Sequence, residues 1–160
     1  MGGVLAGWCA AQTDVDVIVD CGRTWPTSPT LELLTKADVV MVLARPSIDQ
    51  LRPAAHRLAA LEASGAKASM LLVGDSPYRP DEVAATLRTE IAGVVAWDPR
   101  TAAVLTGTRG AVRDLRRSPL VRSATSLAER LAGPSPGSVV SDDRKRPPAR
   151  AFEVVDEVLG

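Results

Sequence analysis

Residues 38–47 have the sequence DVVMVLARPS, an apolar run that ends in a polar turn containing proline. The run shows no apolar–polar alternation, which is typical of a strand covered on both faces in a parallel sheet. A second apolar run, SMLLVG, occupies residues 69–74. Between the two runs, apolar residues recur at helical spacing: Leu51, Ala54, Ala55, Leu58 and Leu61. Strand, helix and strand in this order predict an α/β domain.

Two further apolar runs extend this pattern in both directions. Residues 15–20 and 92–97 are short, rich in valine and bounded by polar turns, so both are predicted to be strands. With residues 38–44 and 69–74 they predict a mainly parallel sheet of about four strands with flanking helices. The sequence contains no internal repeat.

The predicted helices begin at residues that favour a helix start. Asp98 and Ser118 are capping residues, and each is followed by a proline at the first helical position. Pro80 begins a helix whose first turn is acidic. Residues 47–50, SIDQ, have the capping-box pattern. Pro53 then predicts either an irregular first turn or a helix that begins near Pro53 itself.

Composition divides the chain into three parts. Residues 1–132 form the predicted α/β domain, and residues 133–150 are a linker rich in proline, serine and glycine. Residues 151–160 form a short amphipathic tail with an acidic face, which favours either a disordered, frayed end or a peptide that docks on a partner or on the domain. An acidic face is unsuited to anionic lipid, so a membrane anchor is not expected.

Global properties exclude several classes of protein. Nineteen basic residues balance nineteen acidic ones, unlike a dedicated nucleic-acid coat protein. The longest apolar runs, residues 39–44 and 91–97, are far shorter than the ~20 residues of a membrane span. Two cysteines form no disulfide framework, and the N-terminus lacks a secretory pattern. We therefore expect a cytoplasmic protein without a membrane span.

Polar turns follow all four predicted strands. If the strands are parallel, these turns share one edge of the sheet, where α/β proteins bind ligands. Three carboxylates, those of Asp20, Asp75 and Asp98, are then expected to lie close together beside helix N-termini. Carboxylates hold Mg²⁺ and helix N-termini attract anions, so the edge suits a nucleotide with Mg²⁺.

Five short stretches follow one another in a recognisable order: VIVD at 17–20, ADVVMVL at 37–43, LLVG at 71–74 with Tyr78, WDPR at 97–100 and SPLVR at 118–122. With this order and spacing, residues 16–131 resemble the later half of a MinD/ParA-type ATPase, a deviant-Walker P-loop protein, and within that family the MinD-like branch common in actinobacteria. Ala96 stands where the family usually has proline before the base-binding turn. The resemblance implies a partial P-loop NTPase fold.

The resemblance also implies a function and a set of site residues. Asp20 corresponds to the switch-II aspartate, which contacts Mg²⁺ through water. The residues implied to lie at the ATP site are Gly22, Gly74, Asp75, Asp98 and Pro99. Intact relatives bind ATP and Mg²⁺, dimerise, and position chromosomes, plasmids, division sites or secretion machinery.

The chain departs from the family at the phosphates. A P-loop needs a glycine-rich turn closed by lysine and serine or threonine, and none of the three lysines (Lys36, Lys67 and Lys145) follows such a turn. Cys21 and Arg23 also replace the usual residues after the switch aspartate. We expect a missing N-terminal half, through a late start codon, a truncated gene or a split protein. The chain alone is then expected to be inactive, and to form a homodimer or pair with a P-loop-bearing chain.

A basic segment follows the nucleotide-like motifs. Residues 100–132 contain seven arginines and two acidic residues. Partition-type relatives bind DNA non-specifically through such a surface, although a solvated arginine face in an arginine-rich chain explains the same pattern. The arginines concerned are Arg109, Arg113, Arg116, Arg117 and Arg122.

Two other functions stay open. The domain could be a non-catalytic interaction module, or a response-regulator receiver with Asp20 as the phosphoacceptor. Against the receiver, only residues 35–37 separate the helix after Asp20 from the next strand. A Cys21–His56 hydrolase is not expected, because no acid that would orient His56 is identifiable. Two cysteines and one histidine form no metal-ligand spacing.

Overall fold

A computed structural model of the chain describes residues 2–12, 15–23, 30–108 and 114–132. The predictions for the linker 133–150, the tail 151–160, Arg109 and Arg113 lie outside these ranges.

Three parallel strands form the sheet within the described part of the chain. They are β1 (Val40–Ala44), β2 (Ala68–Val73) and β3 (Ile91–Val95), in the spatial order β1-β2-β3. Leu43 pairs with Leu71 across the first ladder and Leu72 with Val94 across the second. The parallel α/β architecture with flanking helices is therefore confirmed.

The described ranges contain six α-helices, which precede, connect or follow the strands. In chain order they are α1 (Gly2–Ala10), α2 (Leu31–Lys36), α3 (Ile48–Ala63), α4 (Pro80–Leu87), α5 (Pro99–Leu105) and α6 (Pro119–Leu131), with a 3-10 helix at Leu115–Arg117 before the last. The predicted starts at Pro80, Asp98-Pro99 and Ser118-Pro119 are confirmed.

The main core lies between the sheet and helices α3 and α4. Leu51, Met70, Leu72 and Val83 are fully buried there. Val94 packs against the same cluster, whereas its neighbour Gly93 meets α6. Because successive strand residues point to opposite faces, α6 covers the other face of the sheet at β3. Helices thus pack on both faces, as expected for a parallel sheet.

The prediction of a strand at residues 15–20 is wrong for this structure. The segment has no strand assignment, and all six residues are exposed, with Ile18 at 95%. Within the described ranges β1 pairs only with β2, so the other edge of β1 has no neighbouring strand. A strand needs a partner for its backbone hydrogen bonds, and residues 15–20 have none here.

Helix α3 begins at Ile48, not near Pro53, which lies inside it. The predicted capping box at residues 47–50 does not form, since the Ser47 side chain makes no capping hydrogen bond. Instead, Gln50 reaches further back, and its Oε1 accepts a hydrogen bond of 2.9 Å from the backbone N–H of Arg45. This contact fixes the turn between β1 and α3.

Candidate functional site

The carboxyl ends of β1, β2 and β3 meet at one edge of the sheet, because the strands are parallel. We call this the carboxyl edge, formed by the turns at residues 45–47, 74–78 and 96–98. The Gly74 N–H donates to the Val95 carbonyl at 2.8 Å, and the Tyr78 N–H donates to the Pro46 carbonyl at 3.2 Å. Backbone hydrogen bonds therefore join the turn at residues 74–78 to β3 and to the turn at residues 45–47.

The backbone conformation of the turn after β2 favours glycine at position 74. Its φ is +84°, a left-handed conformation that residues with a side chain rarely adopt. A Cβ at this position would lie 3.6 Å from Cβ of Trp97. Backbone geometry thus accounts for this glycine, while its predicted contact with a nucleotide stays a prediction.

Arg45 and Trp97 form a stacked pair on the carboxyl edge. The Arg45 guanidinium carbon lies 4.4 Å from the centroid of the Trp97 ring, within cation–π range. The Trp97 side chain is 57% exposed. The sequence analysis did not predict this pair. The available signal was that each residue lies at, or directly after, the end of a predicted strand. The two are distant in sequence, and only the parallel arrangement brings them together.

Asp98 caps helix α5. Its carboxylate accepts hydrogen bonds from the Thr101 hydroxyl at 2.6 Å and from the Thr101 N–H at 3.1 Å. The Thr101 hydroxyl, followed by the Thr101 amide and more weakly by the amides of Arg100 and Leu120, holds the pKa of Asp98 below its usual range. Because Leu120 belongs to the first turn of α6, the Asp98 carboxylate lies near the N-termini of two helices, where a negative charge is favourable. The structure thus explains Asp98 as a cap, and its role beside a base stays a prediction.

Asp20 lies in the non-strand segment, so the structure does not bring it to the carboxyl edge on a strand. Its Oδ1 accepts a 2.8 Å hydrogen bond from the N–H of Gly22, whose φ is +57°. Burial, and secondarily the charge of Asp20, raise the pKa of the half-buried Cys21 thiol. A raised pKa disfavours the thiolate, which argues against Cys21 as a nucleophile. His56 is exposed on α3.

Of the three predicted carboxylates, the structure places two, Asp75 and Asp98, after neighbouring strands of the carboxyl edge. Asp75 is exposed and follows Gly74 directly. Among the described residues no group of three histidine, cysteine or acidic side chains is arranged to hold a metal ion.

The lysines of the described part lie on the wrong side for phosphates. Lys36 ends α2 shortly before β1, and Lys67 immediately precedes β2. Both positions are at the amino-terminal ends of strands, opposite the carboxyl edge. Neither of these lysines is therefore placed to bind phosphates at the carboxyl edge.

The basic segment is exposed where the structure describes it. Arg116, Arg117 and Arg122 are all solvent-accessible, and Nε of Arg117 lies 3.1 Å from Oδ2 of Asp114. An exposed ion pair of this kind contributes little to stability. DNA contact by these arginines stays a prediction.

Comparison with known proteins shows the fold. No protein-family model matches the chain, and neither does any curated protein in sequence. Among solved structures, the MinD cell division protein of Aquifex aeolicus is similar, with a TM-score of 0.56 and 17% identity. The likeness covers 71% of this chain and 50% of that one, so the match spans half the length of the solved structure. At this identity it shows a distantly MinD-like fold.

No helix in the described ranges combines the length and the apolar character that crossing a bilayer requires.

Proposed function

We propose that this chain is a MinD/ParA-like P-loop ATPase family protein that corresponds to the later half of the fold. The observation that supports this most is the MinD-like fold over 71% of the chain. The ordered stretches from VIVD at 17–20 to SPLVR at 118–122 support it independently. The process served is the positioning of chromosomes, plasmids, division sites or secretion machinery, and the branch is the actinobacterial MinD-like one.

In this proposal the carboxyl edge supplies the base side of a nucleotide site. The Gly74-Asp75 turn and the Asp98-Pro99 turn border the base, and Asp20 with Gly22 forms the switch segment. Hydrolysis needs backbone N–H groups and a lysine around the phosphates, and this chain's sequence has no such loop. A partner chain with a P-loop would supply these groups when it pairs with this chain. ATP and Mg²⁺ would then bind between the P-loop of the partner and the carboxyl edge of this chain. The chain alone is then inactive.

Calorimetric titration with ATP and Mg²⁺ tests the proposal. For the chain alone we expect no saturable binding in the micromolar range, because the phosphates provide most of the polar contacts in such sites. When a P-loop-bearing partner is added, binding is expected, and Asp20→Ala should weaken it. Asp38→Ala, at the amino-terminal end of β1, is the matched control and should not. Micromolar ATP binding by the chain alone would contradict the proposal.

A non-catalytic interaction module is the second candidate. It is favoured by exposed apolar side chains at Ile18 (95%), Leu43 (63%) and Val39 (50%), and by the edge of β1 that has no neighbour in the described ranges. Such surfaces mark interaction sites. Affinity capture with the full chain and with Leu43→Asp separates the candidates. The interaction module is favoured if the full chain captures a partner that has no P-loop and Leu43→Asp no longer captures it.

A further inference from the structure

The amino-terminal edge of the sheet, opposite the carboxyl edge, contains a cavity of about 590 Å³. Its walls come from the first residues of the three strands and from the last turn of α6. The wall residues include Val39, Lys67, Ala68, Ile91, Arg130 and Leu131. Val39 alone belongs to a stretch that carries the family resemblance, and none of these residues is among those implied to bind ATP, so the cavity is separate from the proposed nucleotide site.

A local irregularity of the sheet lies beside this cavity. The register between β2 and β3 shifts after Met70, so Ala92 has no partner residue on β2. Nη2 of Arg130 donates a 2.8 Å hydrogen bond to the Ala92 carbonyl. The absent side chain of Gly93 lets Arg130 and Leu127 approach the strand. The last turn of α6 is thereby held over β3, with Leu131 at the cavity wall.

The cavity combines apolar walls with charged groups. Val39 is 50% exposed and Leu131 is 45% exposed, so both present apolar surface to an incoming group. Lys67 and Arg130 contribute two cations, and Asp38 and Glu90 contribute two carboxylates. Within the described ranges, neither cation has a carboxylate oxygen within 4.0 Å. Lys67, and the guanidinium donors of Arg130 that do not bind the Ala92 carbonyl, can therefore bind carboxylates of a ligand that also has apolar side chains.

We propose that residues 151–159 of the same chain dock in this cavity. Leu131 lines the cavity, and the chain continues from that point through residues 133–150. When extended, a linker of that length spans up to about 60 Å, far more than is needed to fold back on α6. The segment therefore reaches the cavity at a high effective concentration.

The chemistry of the segment matches the cavity. Its sequence places four apolar residues on one side at helical spacing: Phe152, Val155, Val158 and Leu159. The other side is acidic, with Glu153, Asp156 and Glu157, and residues 151–160 contain no lysine or arginine. The apolar side packs on Val39 and Leu131, and the acidic side faces Lys67 and Arg130. A lipid surface is a poorer occupant, because anionic headgroups repel three carboxylates.

Fluorine NMR of the full chain tests the docking directly. Phe152 is the only phenylalanine, so 4-fluorophenylalanine labels this segment alone. Docking predicts a resonance that is shifted and broadened relative to the urea-denatured chain. Lys67→Glu and, independently, Val155→Asp should return it to the denatured position. Lys36→Glu, a lysine outside the cavity, is the matched control and should leave the shift intact.

Three results would overturn the proposal. The first is a wild-type resonance at the denatured position. The second is a shift that disappears on dilution, which would assign the contact to a second copy of the chain. The third is loss of the chemical-shift difference in both Lys36→Glu and Lys67→Glu. That result would show that the difference depends on the net charge of the protein and not on the cavity. Backbone amide spectra of each variant establish that the sheet stays folded, so a lost shift reports docking.

Discussion

At the residue scale, Asp98 predicts a pH-dependent contribution to stability. Its carboxylate is stabilised by Thr101, so its pKa in the folded state is lowered. A lowered pKa means that the stabilisation is present at neutral pH and is lost as the pH falls through the folded-state value, below about pH 4. Asp98→Ala should therefore lower the urea midpoint at pH 7, and the difference from wild type should shrink at acidic pH.

Asp75→Ala is the matched control, because Asp75 is an exposed carboxylate at the same edge of the sheet. It should leave the midpoint nearly unchanged at both pH values. If Asp98→Ala has the same midpoint as wild type at pH 7, the capping role of Asp98 is refuted.

Gly93 gives a second residue-scale prediction. A Cβ at this position would collide with Nη2 of Arg130 and lie 3.2 Å from Cδ1 of Leu127. Gly93→Ala should destabilise the protein by about 1 kcal/mol, because the Arg130 guanidinium must leave its hydrogen bond with the Ala92 carbonyl and Leu127 must shift by a few tenths of an ångström. Gly7→Ala, in α1, meets nothing within 4 Å and is the control. Thermal unfolding measures both, and equal midpoints for the two variants would contradict the packing described.

The residue scale also shows what local sequence rules capture. Asp98 and Ser118 were predictable as caps, because a cap depends on residues two or three positions away. Ser118 indeed accepts a hydrogen bond from the Val121 N–H at 3.3 Å. The Arg45–Trp97 stack and the Arg130–Ala92 contact were not predictable, since each depends on tertiary geometry. The candidate site was thus foreseen in its backbone turns and missed in its side-chain pairs.

At the element scale, β1, β2 and β3 were predictable from apolar runs, because burial on both faces leaves a continuous apolar signature. Residues 15–20 have the same signature and form no strand in this structure. The apolar run expresses a tendency to be buried, whereas a strand also requires a neighbouring edge. Ile18 is exposed, and so is Leu43 of β1, a strand that pairs only with β2 in the described ranges.

A pair of apolar substitutions tests this difference between elements. Ile18→Asp replaces a side chain that is 95% exposed and should change the free energy of unfolding by less than ~0.5 kcal/mol. Leu72→Ala removes a fully buried side chain of β2 and should cost about 2–5 kcal/mol. Urea denaturation measures both. A large loss of stability in Ile18→Asp would mean that residues 15–20 are buried in solution.

At the scale of the whole molecule, the sheet separates two surfaces. The carboxyl edge has the turns that resemble the base side of a nucleotide site, and the amino-terminal edge has the cavity beside α6. The α/β fold class followed from the sequence, because strand and helix patterns alternate along it. The expectation that this chain lacks a phosphate-binding loop rests on its sequence alone, since that motif is local. The position of the cavity was not predictable, because it depends on how the strands and α6 pack together.

Both surfaces depend on the parallel pairing of β2 with β3, and hydrogen-bond scalar couplings in NMR measure that pairing directly. The structure predicts couplings from the Met70 amide nitrogen to the Glu90 carbonyl carbon and from the Gly74 amide nitrogen to the Val95 carbonyl carbon, since these bonds are both 2.8 Å long. In these two pairs the residue numbers rise together, as parallel strands require. Couplings whose residue numbers run in opposite directions would show antiparallel strands, and the shared carboxyl edge would then not exist.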